Sequence, residues 1–204
     1  MTIERAREPG GRREQILVTA AELFAARGFH GVSVADLGAA CGISGPALYK
    51  HFVSKDAVLA EMLVSISQEL LAVGGARAAA APDAVAAVSA LVDWHVEFAL
   101  RHRPLIVVQD RDWESLPGPA RERVRTLQRE YVDLWAGQLR AVHARRSEPD
   151  APRDAGLTPD AARAMAHAAF GLINSTPHSG LLPDEAMHAL LRRMALGALG
   201  LPEA

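Results

Sequence analysis

Aromatic side chains make up only 5% of this 204-residue chain, and cysteine occurs once, as Cys41. A lone cysteine excludes an intramolecular disulfide framework and fits a reducing compartment, so a cytoplasmic location is expected. No run of 18 uninterrupted apolar residues is present, which argues against a membrane span. The opening MTIERAREPGGRRE lacks the apolar middle of a signal peptide. Half of the residues are apolar nonetheless, and alanine is abundant. Alanine favours helices and gives strands little to pack, so the composition points to an all-α protein with material for a real core.

An excess of one charge is also missing, since the formal net charge is only -2. The balance is uneven along the chain. Residues 1–55 carry seven basic side chains against five acidic ones, and the remainder is acidic on balance. This asymmetry gives weak support to an anionic partner at the N-terminal end.

The N-terminal quarter reads as short helices with strong stop signals. Ile16, Leu17, Ala20, Leu23 and Phe24 recur at helical spacing, and Gly28 suits the left-handed position beyond the helix end. Ser33 and Asp36 have the spacing of a capping box, with Val32 and Leu37 placed as a hydrophobic staple. Gly42 then turns the chain, and Ile43, Ser44 and Leu48 repeat the staple and cap. Pro46 is tolerated in a first turn, where backbone N–H groups have no intrahelical acceptor. Ser54 caps a fourth helix through Leu59, Met62, Leu63 and Ile66, which is expected to end over Gly74, Gly75 and the alanine run to Pro82.

Two short helices joined by a glycine turn and braced by longer ones make a helix-turn-helix. A generic bundle with well-capped turns would give the same signals, although short helices bury little by themselves. Tyr49, Lys50 and His51 follow the first turn of the second short helix, where donors can meet phosphate oxygens. Gly45, Pro46 and Ala47 stand at the end that would face base edges and offer no long donor. His51 also fits a plain surface or packing role.

Residues 12–59, RREQILVTAAELFAARGFHGVSVADLGAACGISGPALYKHFVSKDAVL, closely resemble the N-terminal domain of the TetR (tetracycline-repressor) family of transcriptional regulators. AAELFAARGF, VSVADLGAACGIS and LYKHFVSKDAVL stand at the family's separations, over about a quarter of the chain. The resemblance implies an all-α homodimer, with a helix-turn-helix domain over 1–55, including a basic arm, and a helical effector-binding and dimerisation domain over 56–204. It implies phosphate contacts at Ser33, Ser44, Tyr49, His51 and Lys55, with Gly45, Pro46 and Lys50 nearest the bases. Many relatives carry a larger polar residue near Ala47, so its smallness here hides the operator sequence.

Beyond the fourth helix, Val88, Leu91, Trp94, His95, Phe98 and His102 line a fifth, and LIVVQDRDW forms a short sixth. A long helix over about 119–146 aligns Val124, Leu127, Tyr131, Trp135, Leu139 and Val142. SEPDAPRDAGLTPD is a Pro- and charge-rich loop. Two last helices, 160–175 and 184–199, are lined by Ala162, Ala166, Ala169 and Phe170, and by Met187, Leu191, Met194 and Ala198. The resemblance pairs them across a two-fold axis; packing within one monomer is the alternative.

No nucleophile, base and orienting group stand together, so neither an enzyme nor a cofactor is expected. His95 and His102 are seven residues apart, which does not make a metal site. Arg121, Arg123, Arg125 and Arg129 read as the solvated side of a helix or as a seat for an acidic effector. Trp94, His95, Phe98, His102, Tyr131 and Trp135 are the ligand-binding set, with a filled core as the alternative. The expectation is a dimeric repressor of a near-palindromic double-stranded DNA operator, released by an apolar or amphipathic small molecule. An activator, a regulator needing no ligand, and an enzyme with a helical pocket are its rivals.

Overall fold

The computed structural model describes residues 11–146 and 156–202. The basic arm at 1–10 and most of the loop expected after the long helix lie outside the described residues. Every regular element among the described residues is helical: α1 Arg12–Arg27, α2 Val34–Ala40, α3 Gly45–Leu48, α4 Lys55–Ala80, α5 Ala84–Arg101, α6 Arg103–Asp112, α7 Gly118–Arg146, α8 Pro159–Ile173 and α9 Asp184–Ala198. Short 3-10 turns follow α6 and α8, at Trp113–Ser115 and Thr176–His178.

Side-chain caps set the helix starts. Ser33 Oγ accepts from the Asp36 N–H at 3.1 Å while Asp36 Oδ2 accepts from the Ser33 N–H at 2.8 Å, which completes the reciprocal box. The side chains of Ser44, Ser54, Asp83 and Thr158 cap α3, α4, α5 and α8, each accepting a backbone N–H three residues on. Gly28 and Gly42 take positive φ values of 78° and 66°, a conformation that costs other residues strain.

Two cores share α4. Its first half buries Val58, Leu59, Met62 and Leu63 with Ile16, Phe24, Leu37, Leu48 and Phe52 of α1 to α3 and the turn after them. Val108, Leu116 and Val124 of the later chain close that core from below. The second core joins α5, α7, α8 and α9 around Leu91, Val92, Trp135, Leu139, Ala166 and Leu191. Among the described helices α4 is long and apolar enough to cross a membrane by length and composition. Its buried apolar residues pack against α1 to α3 in the first half and against α5 and α7 in the second.

Some expectations need correction. Helix α4 ends at Ala80, within the alanine run before Pro82 as expected, but Gly74 and Gly75 lie inside the helix and do not end it. Gly74 is there because α4 passes close to its neighbours: a Cβ would lie 2.7 Å from Tyr131 Cε2 and 3.3 Å from both Leu91 Cδ2 and Trp94 Cδ1. On α9 the inward positions are Met187, Leu191, Ala195 and Leu196, whereas Met194 and Ala198 point outward. Helix α8 starts at Pro159, so the end of the expected loop is helical.

Candidate functional site

The first site is the surface built by α2, the Gly42 turn and α3. Helix α2 lies against the start of α3 so closely that a Cβ at Gly38 would stand 2.9 Å from Ile43 O and 3.0 Å from Gly45 N. Leu37 and Leu48 are buried beneath. That leaves Ser33, Ser44, Pro46, Tyr49 and Lys50 exposed, with Gly45 and His51 half-buried. Tyr49 is 54% exposed, too much for a core aromatic. Tyr49, Lys50 and His51 sit in the turn that closes α3, where His51 N–H donates to Leu48 O at 2.9 Å. Arg13 secures this turn from α1: its guanidinium donates to the His51 carbonyl and to the Glu61 carboxylate, and stacks over Phe52.

Lys55 is occupied differently from a free phosphate donor. Its ammonium donates to Phe29 O and Val32 O, both at 2.8 Å, and lies 4.2 Å from the centre of the Phe29 ring. It fastens the α1–α2 loop to the start of α4. One of its three N–H donors remains for another partner.

The second site is a cavity of about 320 Å³ between α4, α5, α6, α7 and α8. It brings together three of the six residues singled out from the sequence, His95, Phe98 and Tyr131. The other three are elsewhere. Trp135 is fully buried behind Tyr131 and fills the core. Trp94 turns to α4, where its indole N–H donates to Leu70 O at 3.0 Å and Arg77 lies over the ring. His102, one turn past Phe98, lines a different cleft of about 350 Å³ between α1, α4 and the α5–α6 junction. Ile66 and Leu105 line both spaces and divide one from the other.

The cavity wall contains polar groups that the periodicity did not single out: Ser67, Gln109, Asp110, Gln128, His167 and Asn174. Asn174 follows the last turn of α8, where asparagine reads as an ordinary helix end. His95 Nε2 lies 3.2 Å from Asn174 Oδ1, and His95 Nδ1 lies 3.4 Å from the Tyr131 hydroxyl. Phe170 of α8 stacks on His95 at 4.6 Å between ring centres. Burial lowers the His95 pKa to about 4, and raises that of the Tyr131 phenol. The imidazole is therefore neutral at physiological pH. Burial likewise takes His102 to about 4, helped by the charge of Arg101.

Helix α6 connects the two sites. Leu105, Ile106, Gln109 and Asp110 line the cavity, while the next residue, Arg111, donates to Ala25 O at 3.1 Å and to Phe24 O. Those carbonyls end α1, so one helix touches both the cavity and the helix-turn-helix unit. Arg121, Arg125 and Arg129 lie along α7 with local partners, Glu114, Glu122 and Thr126 respectively.

The arrangement agrees with known proteins. The family of bacterial regulatory proteins called tetR matches residues 16–62, and the tetracyclin repressor-like C-terminal domain matches residues 81–178. The chain belongs to the TetR family of transcriptional regulators. Within that family it is 32% identical over 132 residues to the HTH-type transcriptional repressor KstR2 of Rhodococcus jostii. That match covers 64% of this chain and 65% of the relative, just under two thirds of its length. A TetR-family regulator from Bordetella parapertussis superposes with a TM-score of 0.76 at 25% identity, over 96% of this chain and 100% of that one. The structure of AibR in complex with isovaleryl coenzyme A and operator DNA superposes with a TM-score of 0.67 at 19% identity, over 90% of this chain and 97% of that one.

Proposed function

We propose that this TetR-family chain is a homodimeric, cytoplasmic repressor of a near-palindromic operator, released when an apolar or amphipathic small molecule fills the α4–α8 cavity. The observation that carries the reading is the double engagement of α6, whose residues wall the cavity and clamp the end of α1. A ligand that favours a shifted α6 favours a shifted helix-turn-helix unit, and only that difference in affinity can drive release.

On the DNA side, Lys50, Tyr49 and the exposed cap Ser44 meet phosphates, with His51 beside them, and Ser33 joins them by turning its hydroxyl from Asp36 Oδ2. Gly45 and Pro46 approach the bases, as does the stem of Lys50. Lys55 acts mainly as the internal brace described above, and offers its remaining N–H outward. The helix-turn-helix unit over 1–55 and the body over 56–204 share α4 as a strut. Two copies about 34–36 Å apart reach successive major grooves on one DNA face, which calls for a two-fold dimer.

Helices α8 and α9 support the dimer. Their outward faces carry small residues, Ala164, Ala168 and Gly171 on α8 and Ala189, Gly197 and Ala198 on α9, with Met194 48% exposed. Such a face lets a second copy approach closely, and large apolar side chains left in water mark contact surfaces. The effector class follows from the cavity, which is mostly apolar with a few convergent polar groups. KstR2 is named a repressor and AibR holds an acyl-coenzyme A ester; both agree with this reading.

The experiment is to recover the DNA fragments that the purified protein retains, then compare their transcripts in cells with and without the gene. A rise on deletion establishes repression, and a fall makes the protein an activator. Compounds that release the retained DNA then identify the effector. Failure to retain any genomic fragment at physiological salt would overturn the DNA-binding assignment.

A further inference from the structure

We propose that the cavity selects an uncharged carbonyl group, in a ketone, ester or amide of an apolar compound, and that the side-chain amide of Asn174 is its recognition element. His95 and Tyr131 are the positioning residues. The inference rests on the cavity being the effector site.

The hydrogen-bond roles follow from the atoms present. Asn174 Oδ1 can only accept, so the proton of the neutral His95 ring is on Nε2, 3.2 Å away. His95 Nδ1 is then an acceptor, and the Tyr131 hydroxyl at 3.4 Å is its donor. His95 is only 2% exposed and stacks with Phe170 and Tyr131 at interplanar angles of 15° and 24°, so the ring has little freedom to turn. This chain uses the Asn174 oxygen and orients its NH2, which lines the cavity without an intramolecular acceptor among the described residues.

The charge around the cavity sharpens the choice of guest. No lysine or arginine lines it, its one carboxyl group belongs to Asp110, and its second imidazole is that of His167 on α8. A carboxylate guest would lose its water, meet no lysine or arginine, and face Asp110. A hydrocarbon guest would leave the Asn174 donors unmet. A carbonyl oxygen accepts an Asn174 N–H and brings no charge. Burial holds the His95 pKa near 4, so this arrangement persists across the neutral pH range.

The test uses three compounds with one ring: cyclooctanone, cyclooctanecarboxylate and cyclooctane. Each displaces N-phenyl-1-naphthylamine, a neutral dye, from the full-length protein at pH 7.5, and folding of every variant is followed by thermal melting. Cyclooctanone should act at concentrations at least about tenfold below those of the other two, the worth of one good hydrogen bond. Asn174→Leu should remove that preference while cyclooctane binds as before. Asn174→Asp, which also lacks the donors, serves if the leucine variant is unfolded. Tyr131→Phe keeps the ring stack and should weaken only the ketone. Equal displacement by all three, a preference for the carboxylate, or a ketone preference that survives both Asn174 changes would overturn the carbonyl assignment and leave the cavity reading intact. Failure of the dye and of all three compounds to bind would instead overturn the cavity reading itself.

Discussion

Two lysines five residues apart show how a single side chain's partners decide its role. Lys50 is exposed and its ammonium makes no hydrogen bond or ion pair among the described residues, whereas the Lys55 ammonium is tied to two loop carbonyls. Lys50→Ala should therefore leave the melting temperature unchanged, weaken binding to the matched duplex, and reduce the salt slope of binding by about one. Lys55→Ala should instead destabilise the protein by about 1–3 kcal/mol, because two buried carbonyls lose a charged donor. Denaturant melts and salt titrations of both variants check this; an unaltered melt for Lys55→Ala would refute the bracing role. His95 gives a pH dependence of definite sign. Its folded pKa of about 4 is below the ordinary 6.5, so the unfolded chain binds the proton first and stability falls as pH drops from 6.5 toward 4. The full effect is on the order of 3 kcal/mol. His95→Gln should have a visibly flatter stability profile across that window, measured by urea melts at stepped pH.

At the scale of the element, α2 and α3 are too short to be stable by themselves. Their caps satisfy the first turns, and contact between their backbones holds the pair at a fixed angle. Gly38→Ala should gain up to about 1 kcal/mol in helix propensity and lose more to the clash with Ile43 O and Gly45 N. A net loss of about 1–2 kcal/mol is expected, with DNA affinity falling further than stability alone explains. Unchanged melting would mean that α2 and α3 can separate freely. Helix α6 makes a different kind of prediction, because Arg111 is distant from any base. Arg111→Ala should keep DNA binding but require at least about fivefold more effector for release, since it removes the bond from α6 to α1. Release curves against effector concentration decide it, and a parent-like midpoint would place the coupling elsewhere.

At the scale of the whole molecule the uncovered faces of α8 and α9 become important. Ala168→Glu combined with Gly197→Glu puts a carboxylate on each exposed small-residue face without touching either core. The double variant should be monomeric by light scattering at micromolar concentration, and should bind a palindromic site about 100-fold more weakly, as a second tethered half-site is lost. A dimer with the parent's DNA affinity would show that copies associate through another surface. The shared strut α4 belongs to this scale as well. Its first half packs with the helix-turn-helix unit and its second half with the body, so one helix is common to both.

Local chemistry was enough to read much of this protein from its sequence. Ser33 with Asp36, the glycines at 28 and 42, and the apolar spacing of α1 depend on neighbours within a few residues, and those signals are unambiguous. The all-helical class followed from composition for the same reason. Whether a particular aromatic faces a cavity or a core was a different matter. Trp94, His95 and Phe98 stand within five positions on α5, yet only the last two reach the cavity, because Leu70 O across on α4 draws the Trp94 indole aside. Gly74 looked like a helix end until Tyr131, 57 positions later, required the space of its missing Cβ. Lys55 looked like a free cation until the loop carbonyls of Phe29 and Val32 folded over it. The sequence by itself determined the helices, their caps and the helix-turn-helix unit, since short-range hydrogen bonds and periodicity are written in adjacent residues. The tertiary structure alone decided the cavity wall and the link through α6, because those rest on contacts between residues far apart in the chain.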